Sequence, residues 1–189
     1  ATKGSTGTRK VPSGGPNGEV RPDRIGSHAA RTCTPRASLN MTLSAGSALQ
    51  INTHTNRACP IAYLDVKTAV VCCMGNGNGN GDDGVCTLLS ESGTSLTSGT
   101  DLVVNSGYTE YMTVTTLDAS TAVVCYSDKG NSVHATCNLL SASGTTLTKG
   151  ADLVVNAGSS SHLSVAGLDA STAVVCYSDS DSSGDGTCN

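Results

Sequence analysis

Ala122-Val123-Val124-Cys125-Tyr126-Ser127-Asp128 is the stretch on which the fold of this chain turns. It is short, it contains two β-branched valines, and its apolar residues are consecutive rather than alternating. That pattern predicts an inner strand, Thr121 to Ser127, covered on both faces. The same wording returns as Ala69-Val70-Val71-Cys72 and Ala173-Val174-Val175-Cys176, with the cysteines 53 and then 51 residues apart. A second series, Cys33, Cys86, Cys137 and Cys188, steps by 53, 51 and 51. Two independent markers with one spacing define a tandem repeat.

Working outward, each unit reads as four short antiparallel strands. The first spans Tyr111 to Leu117 in the middle copy and His162 to Leu168 in the last. It turns through Asp118-Ala119-Ser120-Thr121 or Asp169-Ala170-Ser171-Thr172, with Asp65-Val66-Lys67-Thr68 as the earlier counterpart. An aspartate opening such a turn accepts a hydrogen bond from its own backbone two residues on, so these aspartates are structural. The third strand runs from Cys137 through Asn138-Leu139-Leu140 to Ser143-Gly144-Thr145, paralleled by Cys86 and Ser92-Gly93-Thr94. The fourth is Leu153-Val154-Val155 or Leu102-Val103-Val104. Gly93 and Gly144 are placed for the positive φ of a tight turn. In the first copy that position falls on Asn40, within the glycosylation sequon Asn40-Met41-Thr42.

The register divides the chain into an arm, 1–32, and a repeat region, 33–189. The repeat region comprises a partial unit at 33–56, full units at about 57–108 and 109–160, and a partial unit at 161–189. The arm carries six glycines, including Gly14-Gly15, and lacks the apolar signature of the repeats; it is expected to be extended or ordered on a partner. Seven basic residues (Lys3, Arg9, Lys10, Arg21, Arg24, Arg31, Arg36) against Glu19 and Asp23 give residues 1–40 a charge of +5. With a total of −4, the remainder carries −9. A basic arm and an acidic body suit docking of one on the other, with Lys3, Arg9, Lys10, Arg21 and Arg24 as candidate partner-binding residues.

The chain has nine cysteines at matched positions, no Cys-x-x-Cys pair, no Phe and no Trp. A core of Val, Leu, Ala and Cys calls for covalent support, and the spacing pairs Cys72 with Cys86, Cys125 with Cys137 and Cys176 with Cys188 across a hairpin. Cys59 and Cys73 lie roughly opposite one another about the Asp65 turn and form a fourth pair, leaving Cys33 over. Disulfides imply an extracellular or other oxidising compartment. The chain begins at Ala1 without Met and has no apolar stretch near the roughly 20 residues of a membrane span, so it is expected to be a processed, soluble product.

The four-strand unit resembles a β-propeller blade. Leu-Asp-Ala-Ser-Thr-Ala-Val-Val-Cys-Tyr-Ser-Asp with Gly-Thr-Cys-Asn-Leu-Leu and Ser-Gly-Thr-Thr-Leu-Thr is similar to propeller-type repeats of secreted microbial and algal proteins. The resemblance covers about residues 33–189 and implies no particular activity. The alternative for a four-strand unit of this length is another stacked β array or a sandwich.

Chemistry-bearing motifs are sparse. Asp179-Ser180-Asp181-Ser182-Ser183-Gly184-Asp185 alternates oxygen ligands with spacers and places Gly sixth, as calcium loops do, making Asp179, Asp181, Ser183 and Asp185 the candidate metal ligands. Asn76-Gly77-Asn78-Gly79-Asn80-Gly81-Asp82-Asp83 keeps the spacing with amides, while Asp128-Lys129-Gly130-Asn131 abandons it. No Gly-Lys-Ser/Thr follows these glycines, so they do not form a phosphate cradle. His28, His54, His134 and His162 fall at different repeat positions. With no nucleophile elbow, zinc motif or paired carboxylates, the reading is of a protein that is not an enzyme. Tyr126 and Tyr177 follow the buried run and are expected to pack rather than stack on a ligand. The acidic body disfavours nucleic acid.

The expectation is therefore an all-β, disulfide-stapled structural repeat protein that assembles with copies of itself, as in a filament, or within a larger assembly. Its arm and its incomplete terminal repeats would make the contacts. Alternatives are a glycan-binding or adhesive module, with calcium as a possible cofactor, and an accessory subunit of a membrane complex.

Overall fold

The computed structural model of the chain describes residues 45–51, 58–76 and 82–189, all within the unit Leu43–Asn189. The described residues form thirteen β-strands and two short 3-10 turns, with no α-helix. The first sheet contains β1 (Ile61–Asp65), β2 (Thr68–Asn76), β3 (Asp82–Ser92), β4 (Ser95–Ser98) and β5 (Leu102–Asn105). The second repeats it with β6 (Thr109–Asp118), β7 (Thr121–Asp128), β8 (His134–Ser143), β9 (Thr146–Lys149) and β10 (Leu153–Asn156). The third has β11 (Ser160–Asp169), β12 (Thr172–Asp179) and β13 (Asp185–Cys188). All pairings are antiparallel.

The full units have four lanes but five strands. β9 pairs with the distal half of β8, from Leu140 to Ser143, and β10 with its proximal half, from Ala135 to Cys137. The expected fourth strand, Leu153 to Val155, is thus only half of that lane. Gly150 bridges the break by donating its N–H to the Leu139 carbonyl at 2.8 Å, and Gly99 does the same to Leu88 at 2.8 Å. The first strands also start earlier than Tyr111 and His162. Each carries a register shift, at Glu110/Thr113 and at Ser161/Ser164, with Tyr111 at φ 50° and His162 at φ 54°. Such bulges displace the side-chain alternation by which a strand is recognised in sequence.

The turns follow from local chemistry. Asp65, Asp118 and Asp169 accept the N–H of Lys67, Ser120 and Ser171 at 2.9, 2.8 and 2.7 Å. Those bonds are the main reason that each carboxyl is held below the usual carboxylate range. Gly93 and Gly144 adopt φ of 67° and 61° in the β3–β4 and β8–β9 turns.

The sheets pack face to face through two cores. Val70, Cys72, Met74, Cys86, Leu88 and Val104 of the first sheet meet Met112, Ala122, Val124, Tyr126, Leu140 and Leu147 of the second. Cys125, Ala135 and Cys137 of the second meet Leu163, Val175 and Tyr177 of the third. β7 therefore contributes alternate residues to opposite cores, which is why its apolar residues run consecutively. A valine in this run, fully buried as Val124 is, contributes about 1.5–3 kcal/mol. Four disulfides join Cys59 to Cys73, as their placement about the Asp65 turn predicts, and Cys72 to Cys86, Cys125 to Cys137 and Cys176 to Cys188, as the repeat spacing predicts. Among the described residues the sheets stack in series and do not close into a propeller ring.

Candidate functional site

Of the residues singled out in the sequence, Asn40, Cys33 and the arm residues Lys3, Arg9, Lys10, Arg21 and Arg24 lie outside the described residues. The calcium-type loop is described. Asp179 caps the 3-10 turn Ser180–Ser182, accepting from Asp181 N at 3.1 Å and from Ser182 Oγ at 3.2 Å. Asp128 caps Lys129–Asn131 in the same way, accepting from Gly130 N at 3.0 Å, although that loop lacks the ligand pattern. Capping is thus what the two aspartates share. Asp181 faces Gly158, where a Cβ would collide with its carboxylate. Among the described residues no group of three or more His, Cys, Asp or Glu side chains is arranged to hold a metal ion.

Tyr126 and Tyr177 are buried, and each hydroxyl meets an asparagine. Tyr126 Oη donates to Asn138 Oδ1 at 3.0 Å, and Tyr177 Oη accepts from Asn189 Nδ2 at 3.0 Å. Burial, then the nearby Asp152 and Asp128 carboxylates, push the Tyr126 hydroxyl well above its ordinary pKa. Asn138 Nδ2 donates to Asp152 Oδ1 at 2.6 Å, and Lys149 Nζ donates to the same oxygen at 2.8 Å and to the Val104 carbonyl at 3.0 Å. Lys149 and then Asn138 hold the Asp152 carboxyl low. This network ties the fourth lane of one sheet to that of the sheet before it.

A second joint escaped the sequence reading. Asn105 Nδ2 reaches Thr109 Oγ1 at 3.0 Å and Asp128 Oδ1 at 3.2 Å, clasping the end of one unit to the first strand and hairpin of the next. Asn156 repeats it with Ser160 Oγ at 3.0 Å. The recurring Asn-x-Gly-x-Thr/Ser at 105–109 and 156–160 was the available signal.

A concavity lies between the second and third sheets, a cleft of about 420 Å³ lined by Val123, Leu139, Leu153, Val155, Val165 and Val175 among others. Equivalent repeat positions show what makes it. Leu88, at the interface of the first two sheets, is 1% exposed, whereas its counterpart Leu139 is 46% exposed. Val104 is buried and Leu102 packs against the same core, whereas Val155 is half-buried and Leu153 exposed. The core that holds Leu88 also contains Leu140 and Leu147, from the distal half of β8 and from β9. No described strand of the third sheet stands at their positions. β13 has β12 on one side and no described strand on the other, and beyond Val175 the proximal part of β12 has no described partner on its β13 side.

Four intrachain disulfides fit an oxidising compartment. Among the described residues no helix is long and apolar enough to cross a membrane. No protein-family model, curated protein or solved structure matches the chain.

Proposed function

We propose that this chain is a structural, extracellular or luminal repeat protein whose blade-like sheets form an open array and build a larger assembly. The observation that carries this reading is the serial face-to-face stacking of the repeat sheets, joined at each step by an apolar core and an asparagine clasp. Units that bury their apolar faces against neighbouring units are stabilised by stacking, and such an array suits incorporation into a larger assembly. The charge split between arm and body adds an electrostatic contact that salt weakens. Sedimentation of the intact chain over a concentration series, with and without residues 1–32, tests the reading. The expected result is a mass that rises with concentration, and rises less when the arm is removed. A strictly monomeric intact chain overturns the proposal.

A glycan-binding reading has one observation in its favour. Tyr111 and His162, equivalent bulge residues on the first strands of successive sheets, stack with ring centroids 4.7 Å apart. Beside Tyr111 is a hollow of about 280 Å³ lined by Ala58, Met74, Glu110 and Met112. Saturable binding to a glycan array, abolished by Tyr111→Ala, would favour this second reading over assembly.

A further inference from the structure

One position of the repeat carries a ring on β6 and on β11 but not on the segment leading into β1. Ala58, Tyr111 and His162 are equivalent, 53 and then 51 residues apart. Tyr111 and His162 stand at bulges with left-handed φ, which a residue with a Cβ adopts at a cost. Their rings stack, with centroids 4.7 Å apart and planes inclined by 38°. His162 Nδ1 lies 3.0 Å from Ser161 Oγ, which helps to orient the second ring.

Ala58 interrupts this column. Over His162 the preceding unit places the ring of Tyr111, whereas at the matching place before Tyr111 it places a methyl group. There the hollow of about 280 Å³ opens, with Ala58 and Tyr111 among its walls. Met74 and Met112, 6% and 7% exposed, give it an apolar floor. Met112 is seated over Gly84, where a Cβ would come within 2.8 Å of its terminal methyl. Glu110 supplies a polar edge. Tyr108 Oη donates to its Oε1 at 2.8 Å, and Lys129 Nζ lies 3.0 Å from its Oε2, so the carboxylate is held in place. An ionised carboxylate accepts through both oxygens, at about four sites in all.

Size and chemistry together select a ligand. Small-molecule sites occupy about 300–1,000 Å³, and a hollow just below that range takes a single ring. A flat aromatic wall with an acceptor at its edge suits a ring that is apolar on its face and carries hydroxyl donors at its rim. A neutral pyranose has that form, with C–H groups to lie on Tyr111 and hydroxyls to reach Glu110. A purely aromatic guest brings no donor for the carboxylate, and an anionic sugar meets it with like charge.

We propose that the hollow between Ala58 and Tyr111 binds one neutral pyranose ring, stacked on the face of Tyr111 away from His162, and that Ala58 keeps the place open. This inference rests on the glycan-binding reading above, to which it gives a location and a ligand class.

Saturation-transfer NMR of the intact chain with methyl glycosides of glucose, galactose, mannose and N-acetylglucosamine, and with phenol for comparison, tests it. At least one glycoside is expected to receive saturation and to shift the Tyr111 ring and the Met74 and Met112 methyl signals. Ala58→Trp, at an exposed position, fills the hollow and should weaken that binding by at least about tenfold, as should Tyr111→Ala. His162→Ala removes the ring that orients Tyr111 and should weaken it by about fivefold. Tyr63→Ala, at a 63% exposed tyrosine outside the hollow, should leave it unchanged. Circular dichroism and melting of each variant separate these losses from unfolding. Glycoside binding lost in Tyr111→Ala but untouched by Ala58→Trp overturns this site and leaves the glycan-binding reading standing. Phenol bound in place of every glycoside overturns the sugar assignment. No glycoside binding overturns the site, and a silent glycan array as well overturns the reading on which it rests.

Discussion

Cys125–Cys137 and Cys176–Cys188 each span a separation of 12 residues, yet they sit in different surroundings. The first belongs to the core between the second and third sheets, with Cys125 fully buried and Cys137 6% exposed. In the second, Cys176 is half-buried and Cys188 exposed. Replacing both cysteines of a pair by alanine releases a closed loop of about 13 residues in the unfolded chain, which the chain-entropy relation values at about 3 kcal/mol at 25 °C. That loss is common to the two sites. The buried pair should lose a further 1–3 kcal/mol or so, because removing two sulfurs from a packed interface leaves a void against Leu163, Val175 and Tyr177. Urea unfolding gives the total, and native-state hydrogen exchange gives its location. In a stacked array stability is nearly a sum of unit and interface contributions, so the Cys176–Cys188 variant should lose protection mainly in β11–β13. The Cys125–Cys137 variant should lose protection on both sides of the second core. Equal destabilisation at the two sites, or a greater loss at Cys176–Cys188, would refute the view that the buried bridge also acts through packing.

Tyr126→Phe leaves Asn138 Oδ1 in the core without its hydroxyl donor and should destabilise by about 1–3 kcal/mol. Tyr177→Phe, whose partner Asn189 is exposed, should have a smaller effect in the same thermal or urea unfolding assay. The carboxyls of Asp65, Asp118 and Asp169 are held low when folded, so their hydrogen bonds contribute stability above the unfolded carboxylate pKa of about 3.9 and lose it as pH falls through the folded values. Melting temperature should therefore drop from about pH 4 downwards, and Asp118→Asn with Asp169→Asn should flatten that acid limb. An unchanged limb would show that other carboxylates dominate acid unfolding.

What was legible in the sequence is what the repeat carries in a single chain position. The Val-Val-Cys strand, the four cysteine pairs, the Asp65, Asp118 and Asp169 turns and the positive φ of Gly93 and Gly144 each depend on neighbours within one hairpin. The split fourth lane does not, because Gly99 and Gly150 keep the ladder hydrogen-bonded across a break that the side-chain pattern conceals. The bulges at Tyr111 and His162 displace the alternation they would have been read from. The asparagine clasps at Asn105 and Asn156 join two units, and their meaning emerges only once the sheets are stacked. The exposure of Leu139 is likewise invisible locally, since the same residue type one unit earlier, Leu88, is buried.

β7 is apolar toward both of its neighbours, and that removes the usual safeguard of a half-buried strand. When one face is oily and the other wet, sliding the pairing by one residue turns the oily set toward water, and the error is rejected. For Ala122-Val123-Val124 a slipped pairing would still present apolar groups both ways, so burial alone discriminates poorly. Cys125 stands directly opposite Cys137, and Cys72 and Cys176 stand directly opposite Cys86 and Cys188. A bridge between directly opposed residues closes in only one alignment. The disulfides therefore act as index pins that fix the phase of each hairpin, and oxidation becomes the step at which a permissive strand commits to a single partner alignment.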